Sequence, residues 1–218
     1  MALYDIDGNV IDVSGDSAST VFANKKASFY GDSLTEINQH YTKGYHAWIK
    51  DLLGLTSYNN YGVSGYKISD VINKMNSVTD NPDIVFVMAG VNDENYSTPL
   101  GTISDTTVGT IYGGYDVLCR TVKQKYASKI IVFITPHFQT RYPHSGGITS
   151  YEVSRAMIEV ATKYSIPVYD NYVFSGIDTN NLNIWTVDNC HWNNKAHEMV
   201  GKNLSKWIID HFRYLYSA

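Results

Sequence analysis

Three side chains from opposite ends of the chain have the types and order that nucleophilic catalysis requires. Ser33 follows the apolar segment Ala27–Tyr30, and Asp188 and His191 lie three residues apart before the last long helical pattern. This spacing lets both face the same way across one turn, so His191 can accept a serine proton while Asp188 holds its other ring nitrogen. Separately, each has an ordinary interpretation, as a helix cap or a surface residue. Together they predict a nucleophile, its base and an orienting acid.

Two further residues could stabilise the negative charge of an acyl-transfer intermediate. Gly65 follows the second strand-like segment, and its backbone N–H is approachable because glycine has no Cβ. Asn92 follows the third such segment, and its side-chain amide is a donor that carries no charge. Either residue alone is more often part of a turn. Because both fall in order between Ser33 and the pair Asp188 and His191, the sequence favours one shared site.

An alternation of strand-like and helical segments must position these residues. It predicts an α/β fold with a parallel sheet, helices on both of its faces, and functional loops at the carboxyl ends of the strands. The strand-like segments are Ala27–Tyr30, Tyr58–Tyr61, Ile84–Met88, Ile130–Thr135 and Pro167–Tyr169. The helical patterns run from about His40 to Leu53 and over Ile68–Met75, Val108–Tyr126, Tyr151–Lys163 and Asn194–Phe212.

Length and charge restrict the class of protein. The 218 residues suit one domain over residues 27–218, preceded by a hairpin or arm over residues 1–26 that turns at Asp7-Gly8. A net charge of −4 without a dense Lys/Arg cluster argues against nucleic acid as a partner. Apolar runs of strand length argue against a membrane span. The first residues lack the features of a signal peptide, so we expect a cytoplasmic protein or a domain of a larger secreted or phage-tail protein.

No metal and no cofactor is expected. No pair or triple of histidine, cysteine and carboxylate residues has the spacing of a zinc site. The two cysteines, Cys119 and Cys190, make no disulfide framework, and their spacing leaves open whether they pair. Among the other histidines, only His137 follows a strand-like segment closely enough to reach the site.

The blocks described above resemble those of the SGNH hydrolases, also called the GDSL esterase/lipase family. Gly31-Asp-Ser-Leu34 matches the block that names the family, and the resemblance spans roughly residues 27–212. It implies a three-layer α/β/α, flavodoxin-like sandwich with a five-stranded parallel sheet. It also implies a catalytic triad of Ser33, Asp188 and His191, and an oxyanion hole formed by Ser33, Gly65 and Asn92. Many members have Pro or Leu after the histidine, where this chain has Trp192, and we expect that indole to line the acyl or alcohol pocket.

Aromatic residues near the predicted loops suggest the alcohol part of the ester. The chain has 18 tyrosines and 4 tryptophans, and rings beside a polar cleft suit sugars, although most such rings simply pack or lie on the surface. Without a long apolar lid for bulk lipid, we expect a serine esterase for short-chain, above all acetyl, esters of a carbohydrate. The alternatives are a lipase or thioesterase, or a glycan-binding or adhesion module on a phage tail or cell surface. The rings concerned are Tyr66, Tyr96, Tyr142, Trp185 and Trp192, of which Tyr66 and Trp192 are expected to bind substrate.

Overall fold

A five-stranded parallel sheet forms the centre of the fold. The computed structural model describes residues 3–4, 10–11, 22–141 and 147–212. Two short strands, β1 (Leu3–Tyr4) and β2 (Val10–Ile11), pair antiparallel, and the predicted turn at Asp7-Gly8 between them lies outside the described residues. The strands of the sheet are β3 (Lys26–Gly31), β4 (Ser57–Gly62), β5 (Ile84–Met88), β6 (Ile130–Ile134) and β7 (Val168–Tyr169). Their order is β4-β3-β5-β6-β7, with every pair parallel.

The helices between the strands begin where a cap or turn allows it. The pattern predicted from Val108 starts only at Ile111, because the Thr110 hydroxyl accepts the N–H of Gly113 at 3.1 Å and fixes the helix start there. The segment predicted from about His40 is helical from Tyr45. The helices are α1 (Tyr45–Leu53), α2 (Ile68–Ser77), α3 (Val91–Asn95), α4 (Ile111–Lys125), α5 (Ser150–Lys163), α6 (Asn171–Phe174), α7 (Leu182–Trp185) and α8 (Asn194–His211).

Both faces of the sheet are buried, because successive strand residues point to opposite sides. On β3, Phe29 packs into a cluster with α1 and α8, and its ring stacks on Phe86 at a centroid distance of 4.5 Å. Tyr30 points the other way, into a cluster with α2, α4 and α5. The architecture is therefore a three-layer α/β/α sandwich, which confirms the predicted fold class.

Two glycines let the loop after β3 cross the carboxyl end of the sheet at close range. A Cβ on Gly31 would lie 2.2 Å from the Thr35 hydroxyl, and one on Gly62 would lie 2.3 Å from the backbone N of Glu36. Larger residues at either position would push this loop away from the sheet. The glycines therefore determine where the segment that contains Ser33 can lie.

The two cysteines are free thiols, and both are buried. Burial raises the pKa of Cys119 to about 12 and raises the pKa of Cys190 further above its ordinary value. Both side chains are therefore neutral thiols at physiological pH, and neither has the character of a nucleophile.

Candidate active site

Ser33 lies in a hydrogen-bonded turn directly after β3. The backbone N–H groups of Thr35 and Glu36 donate to the carbonyl oxygen of Asp32 at 3.0 and 2.9 Å. This turn fixes the backbone around Ser33, which is 8% exposed at the carboxyl edge of the sheet. Because α1 begins only at Tyr45, Ser33 does not cap that helix.

The structure brings Ser33 together with two residues from the far end of the chain. His191 Nε2 lies 2.8 Å from Ser33 Oγ, and His191 Nδ1 lies 2.8 Å from Asp188 Oδ2. The backbone N–H of His191 also donates to Asp188 Oδ1 at 2.7 Å. One carboxylate thus holds both the backbone and the ring of the histidine. The remaining ring nitrogen is in position to take the serine proton.

A tight turn ahead of α8, rather than the helix itself, carries the acid and the base. Thr186 and Trp192 form an antiparallel bridge across this turn, and the N–H of Val187 donates to the carbonyl oxygen of His191 at 2.9 Å. At its tip, Asn189 has a φ of 65°, a left-handed conformation that asparagine tolerates better than most residues. The turn therefore holds Asp188 and His191 in a fixed relation to each other.

Arg141 is a neighbour of this group that was not predicted from the sequence. Its Nη1 contacts Asp188 Oδ2 and lies 2.7 Å from His191 Nδ1. Burial raises the pKa of the Asp188 carboxyl, but hydrogen bonds from His191 and the charges of His191 and Arg141 outweigh it, so the pKa lies below its ordinary value. Asp188 is therefore a carboxylate at neutral pH. The one signal in the sequence was the position of Arg141 in the loop after β6, at the same edge of the sheet.

Two other histidines differ in how they relate to the site. The ring of His40 stacks on that of His191, with centroids 4.9 Å apart and planes at 22°. His137, which the sequence placed within reach of the site, is fully buried and packs against Trp192 instead. Burial lowers the pKa of His137 to about 3, so its imidazole is neutral and structural.

The two expected oxyanion donors follow the strands adjacent to β3, Gly65 in the loop after β4 and Asn92 in the short helix α3 after β5. Gly65 has a φ of 80°, and a Cβ there would meet nothing within 4 Å, so glycine is needed for its conformation rather than for space. Asn92 is 8% exposed in α3, and its Nδ2 donates to the carbonyl oxygen of Tyr66 at 2.9 Å. This bond ties α3 to the loop after β4 and uses one of the two amide hydrogens of Asn92.

Three buried carboxyl groups lie around the nucleophile turn. Burial raises the pKa of Asp32 to about 7, that of Asp93 to about 6 and that of Glu94 to about 7. Asp32 Oδ1 accepts the N–H of Leu34 at 2.9 Å, but its Oδ2 has no partner among the described residues. Asp93 Oδ2 accepts the N–H of Ile68 at 2.9 Å, at the first residue of α2. The hydrogen bonds that Asp32 and Asp93 accept stabilise the loops around them. Because all three groups are buried, loss of their protons destabilises the folded state.

We expect Asp32→Asn to gain stability relative to the natural chain as the pH rises. The folded state holds the Asp32 proton up to a pKa of about 7, whereas the unfolded state releases it near 3.8, so the carboxyl destabilises the fold increasingly between those values. Asparagine has no proton to lose and keeps an acceptor for Leu34. The free energy of unfolding of the variant, minus that of the natural chain, should increase by about 2 to 3 kcal/mol from pH 5 to pH 8 in urea titrations.

The matched control is Asp178→Asn, at an exposed aspartate that accepts the N–H of Asn180 at 2.7 Å. The pH dependence of this variant measures the effect of replacing an exposed carboxyl by an amide, and it is subtracted from that of Asp32→Asn. A pH-independent stability difference for Asp32→Asn would show that Asp32 is ionised in the folded protein throughout the range.

The aromatic residues expected near substrate differ in where they lie and in how exposed they are. The expectation that Trp192 lines a pocket is wrong, because its indole is 0% exposed and packs against Tyr45 and His137 in the core. Tyr66 is half-buried, and its ring packs against the cluster of α2 and α4. Trp185 is partly buried against the opposite cluster, Tyr96 is 66% exposed, and Tyr142 lies outside the described residues.

Neither a metal site nor a membrane-spanning helix is present in the described part of the chain. Among those residues, no three histidine, cysteine, aspartate or glutamate side chains converge in a way that could hold a metal ion. Likewise, none of the helices over residues 22–141 and 147–212 is both long and apolar enough to cross a membrane.

Comparison with protein families gives one match over most of the chain. A family model described as the GDSL-like lipase/acylhydrolase family matches residues 29–199, a range that includes Ser33, Gly65, Asn92, Asp188 and His191. Comparison with curated proteins gives no match.

Solved structures share the fold at low sequence identity. A protein from Lactobacillus plantarum superposes with a TM-score of 0.80 at 23% identity, covering 87% of this chain and 99% of its own. A possible lipase from Chitinophaga pinensis gives 0.72 at 20% identity, covering 88% and 99%. A catalytic mutant of an acetylxylan esterase from Geobacillus stearothermophilus gives 0.65 at 18% identity, covering 85% and 94%. Identities this low establish the common fold alone.

Proposed function

The chain belongs to the GDSL-like lipase/acylhydrolase family, and from this premise we propose that it is a serine esterase that removes short acyl groups, acetyl above all, from the hydroxyls of a carbohydrate. The observation that carries the proposal is the hydrogen-bonded series from Asp188 through His191 to Ser33, with 2.8 Å on either side of the imidazole. Membership of the family supplies the esterase or lipase activity. The acetyl group and the carbohydrate belong to the proposal.

In the proposed reaction, Ser33 Oγ attacks the ester carbonyl carbon while His191 Nε2 takes the hydroxyl proton. The carbonyl electrons move onto its oxygen, and the new imidazolium is stabilised by Asp188. When the tetrahedral intermediate collapses, His191 returns the proton to the leaving alcohol and Ser33 carries the acyl group. A water molecule, activated by the same histidine, then releases the acid and restores the serine.

The oxyanion would be held by neutral donors. The backbone N–H groups of Ser33 and Gly65 and the Asn92 amide are assigned this role. Neutral donors stabilise the oxyanion without adding a further charge beside His191 and Asp188. The bond from Asn92 Nδ2 to Tyr66 supports the assignment, since it holds the amide in a fixed orientation before substrate binds.

The surroundings of the triad favour a polar alcohol over a long hydrocarbon chain. Arg141 contacts Asp188, His40 stacks on His191, and Asn38 donates to the carbonyl oxygen of Ser33 at 2.9 Å. Removing water from such groups to admit an alkyl chain is unfavourable, whereas sugar hydroxyls can replace that water. The fold shared with an acetylxylan esterase is consistent with this choice.

The proposal is tested by labelling Ser33 and by comparing acyl groups. A fluorescent organophosphonate should label the protein and should not label Ser33→Ala. Acetate should be released from 4-nitrophenyl acetate and acetylated sugars much faster than octanoate or palmitate from matched esters. Faster release of the long acids would favour a lipase. Absence of labelling together with tight glycan binding would favour a binding module.

Asn92→Ala should lower kcat for acetyl-ester hydrolysis by about 10²- to 10³-fold, because one donor to the oxyanion is lost. Stability should fall by only about 1 kcal/mol, the usual value of one hydrogen bond such as that to Tyr66. Rates with 4-nitrophenyl acetate and unfolding in urea measure the two effects separately.

Asn95→Ala is the matched control, since it removes a side-chain amide from the same short helix. The Asn95 side-chain oxygen accepts from Gln139 Nε2 at 3.3 Å and has no assigned role in the oxyanion hole. It should change kcat by less than about tenfold. Equal losses in both variants would attribute the effect to disruption of α3 and would remove Asn92 from the proposed oxyanion hole.

A further inference from the structure

A cleft of about 400 Å³ lies beside the proposed oxyanion donors. Three segments form it: the start of α2, the turn after α3, and the segment that leads into α4. Its volume lies within the usual range of small-molecule sites. The lining residues that matter for its chemistry are Lys67, Ser69, Tyr96, Thr98, Val108 and Thr110.

Part of the cleft is built by residues that closely follow the two proposed oxyanion donors along the chain. Lys67 directly follows Tyr66, whose carbonyl oxygen accepts from Asn92. Asp93, the next residue after Asn92, lines the cleft and accepts the N–H of Ile68 from the opposite wall at 2.9 Å. The loops that would hold the oxyanion therefore also build the inner wall of the cleft.

Tyr96 is held at a fixed distance from Asn92. Its N–H donates to the carbonyl oxygen of Asn92 at 2.9 Å at the end of α3, so the two residues lie one turn apart on the same side of this helix. Four residues of helix rise ~6 Å, about the width of one sugar ring. The turn that follows is also ordered, since the N–H of Thr98 donates to the carbonyl oxygen of Asp93 at 2.9 Å.

The lining combines an exposed ring with polar groups. Tyr96 is 66% exposed, although it is a large aromatic side chain in an ordered turn. Lys67 Nζ lies 5.9 Å from the centre of that ring, and the hydroxyl-bearing Ser69 and Thr98 complete the walls. A pyranose ring has a face of C–H groups that packs on an aromatic ring and a rim of hydroxyls that needs hydrogen-bonding partners. This lining matches both requirements.

We propose that this cleft is a sugar-binding subsite, in which the ring next to the acetylated one stacks on Tyr96 and its hydroxyls contact Lys67 and Thr98. The inference rests on the proposed function and narrows it. The substrate is an acetylated oligosaccharide or polysaccharide rather than an acetylated monosaccharide. The ester group lies over Ser33, and the chain continues past Asn92 into the cleft.

Chain length is the variable that tests the subsite. The substrates are acetylated xylose, xylobiose and xylotriose, acetylated glucose, cellobiose and cellotriose, and 4-nitrophenyl acetate as a substrate too small to reach the cleft. In at least one series, kcat/KM should rise about tenfold from the monomer to the trimer. Tyr96→Ala should abolish that rise, so that kcat/KM for the trimer divided by kcat/KM for 4-nitrophenyl acetate falls about tenfold. Tyr96→Phe should keep it.

Tyr151→Ala is the matched control, because Tyr151 is also exposed, at 52%, but lies on α5 outside the cleft. For this variant, kcat/KM for the trimer divided by kcat/KM for 4-nitrophenyl acetate should equal the value of the natural chain. Rates that are independent of chain length, or a Tyr96→Ala variant with an undiminished ratio, would overturn the subsite.

Binding without turnover separates the subsite from the esterase proposal. Calorimetry of Ser33→Ala with the trimers should show binding that is lost in Ser33→Ala combined with Tyr96→Ala. If the natural chain hydrolyses no ester while this Tyr96-dependent binding persists, the esterase proposal fails and the subsite stands. If esters are hydrolysed but no trimer binds, only the subsite fails.

Discussion

Ser33→Ala should lower kcat for 4-nitrophenyl acetate by about 10⁶-fold, to the level supported by binding and oxyanion donors alone. Among the described residues of the site, the Ser33 hydroxyl is the nucleophile that lies within hydrogen-bond distance of His191 Nε2, at 2.8 Å. In the variant, a water molecule beside His191 would attack the ester carbonyl far more slowly than Ser33 does in the natural enzyme. The two kcat values are compared by measuring acetate release at high concentration of the variant and by active-site titration of the natural enzyme.

The fold should tolerate this change. Ser33 is 8% exposed, and alanine removes only the oxygen that bonds to His191. The free energy of unfolding should therefore stay within about 1 kcal/mol of the natural value. A residual rate within tenfold of the natural enzyme, from a variant that unfolds normally, would exclude Ser33 as the nucleophile.

Asp188→Asn should lower kcat by about 10⁴-fold while leaving the turn intact. Asparagine can still accept the N–H of His191 through its oxygen, so the geometry of the turn is kept. Its NH₂ group, in place of Oδ2, cannot accept the proton on Nδ1. The imidazole then carries its hydrogen on Nε2 and cannot take a proton from Ser33. Single-turnover measurements should show slow acylation, and NMR of the imidazole should show the changed tautomer.

Arg141→Gln serves as the control for the loss of charge. Arg141 touches the same carboxylate oxygen, so Asp188→Asn also removes an ion pair. Arg141 contacts Asp188 but takes no part in the proposed proton transfers, so Arg141→Gln should lower kcat by less than about tenfold. If the two variants lost activity equally, the effect of Asp188→Asn would lie in the ion pair and not in the tautomer.

Much of the fold could be predicted because its determinants are local. Apolar runs such as Ile84–Met88 are buried on both faces and therefore apolar at every position. The short helices α3, α6 and α7 were not predicted, because four or five residues are too few for an apolar period to appear. Helix starts were misplaced where a side-chain cap such as Thr110 decided the first residue.

Within the site, residue type was informative and side-chain direction was not. His191 points out to Ser33, and adjacent residues in extended backbone point to opposite sides, so Trp192 must point into the core. The bridge that makes this backbone extended cannot be read from the sequence. Arg141 could not be found either, since its approach to Asp188 depends on the path of a loop over seven residues from the end of β6.

The turn bridged by Thr186 and Trp192 has a consequence for how such chains diverge in evolution. The acid and the base occupy a single four-residue unit, Asp188–His191, while the nucleophile belongs to another part of the gene. A substitution in that unit would remove the proposed hydrolysis, whereas neither the strands of the sheet nor the lining of the cleft includes its residues. With the proposed sugar subsite kept, such a descendant would bind glycans without cleaving esters, and regaining the same four residues would restore the triad.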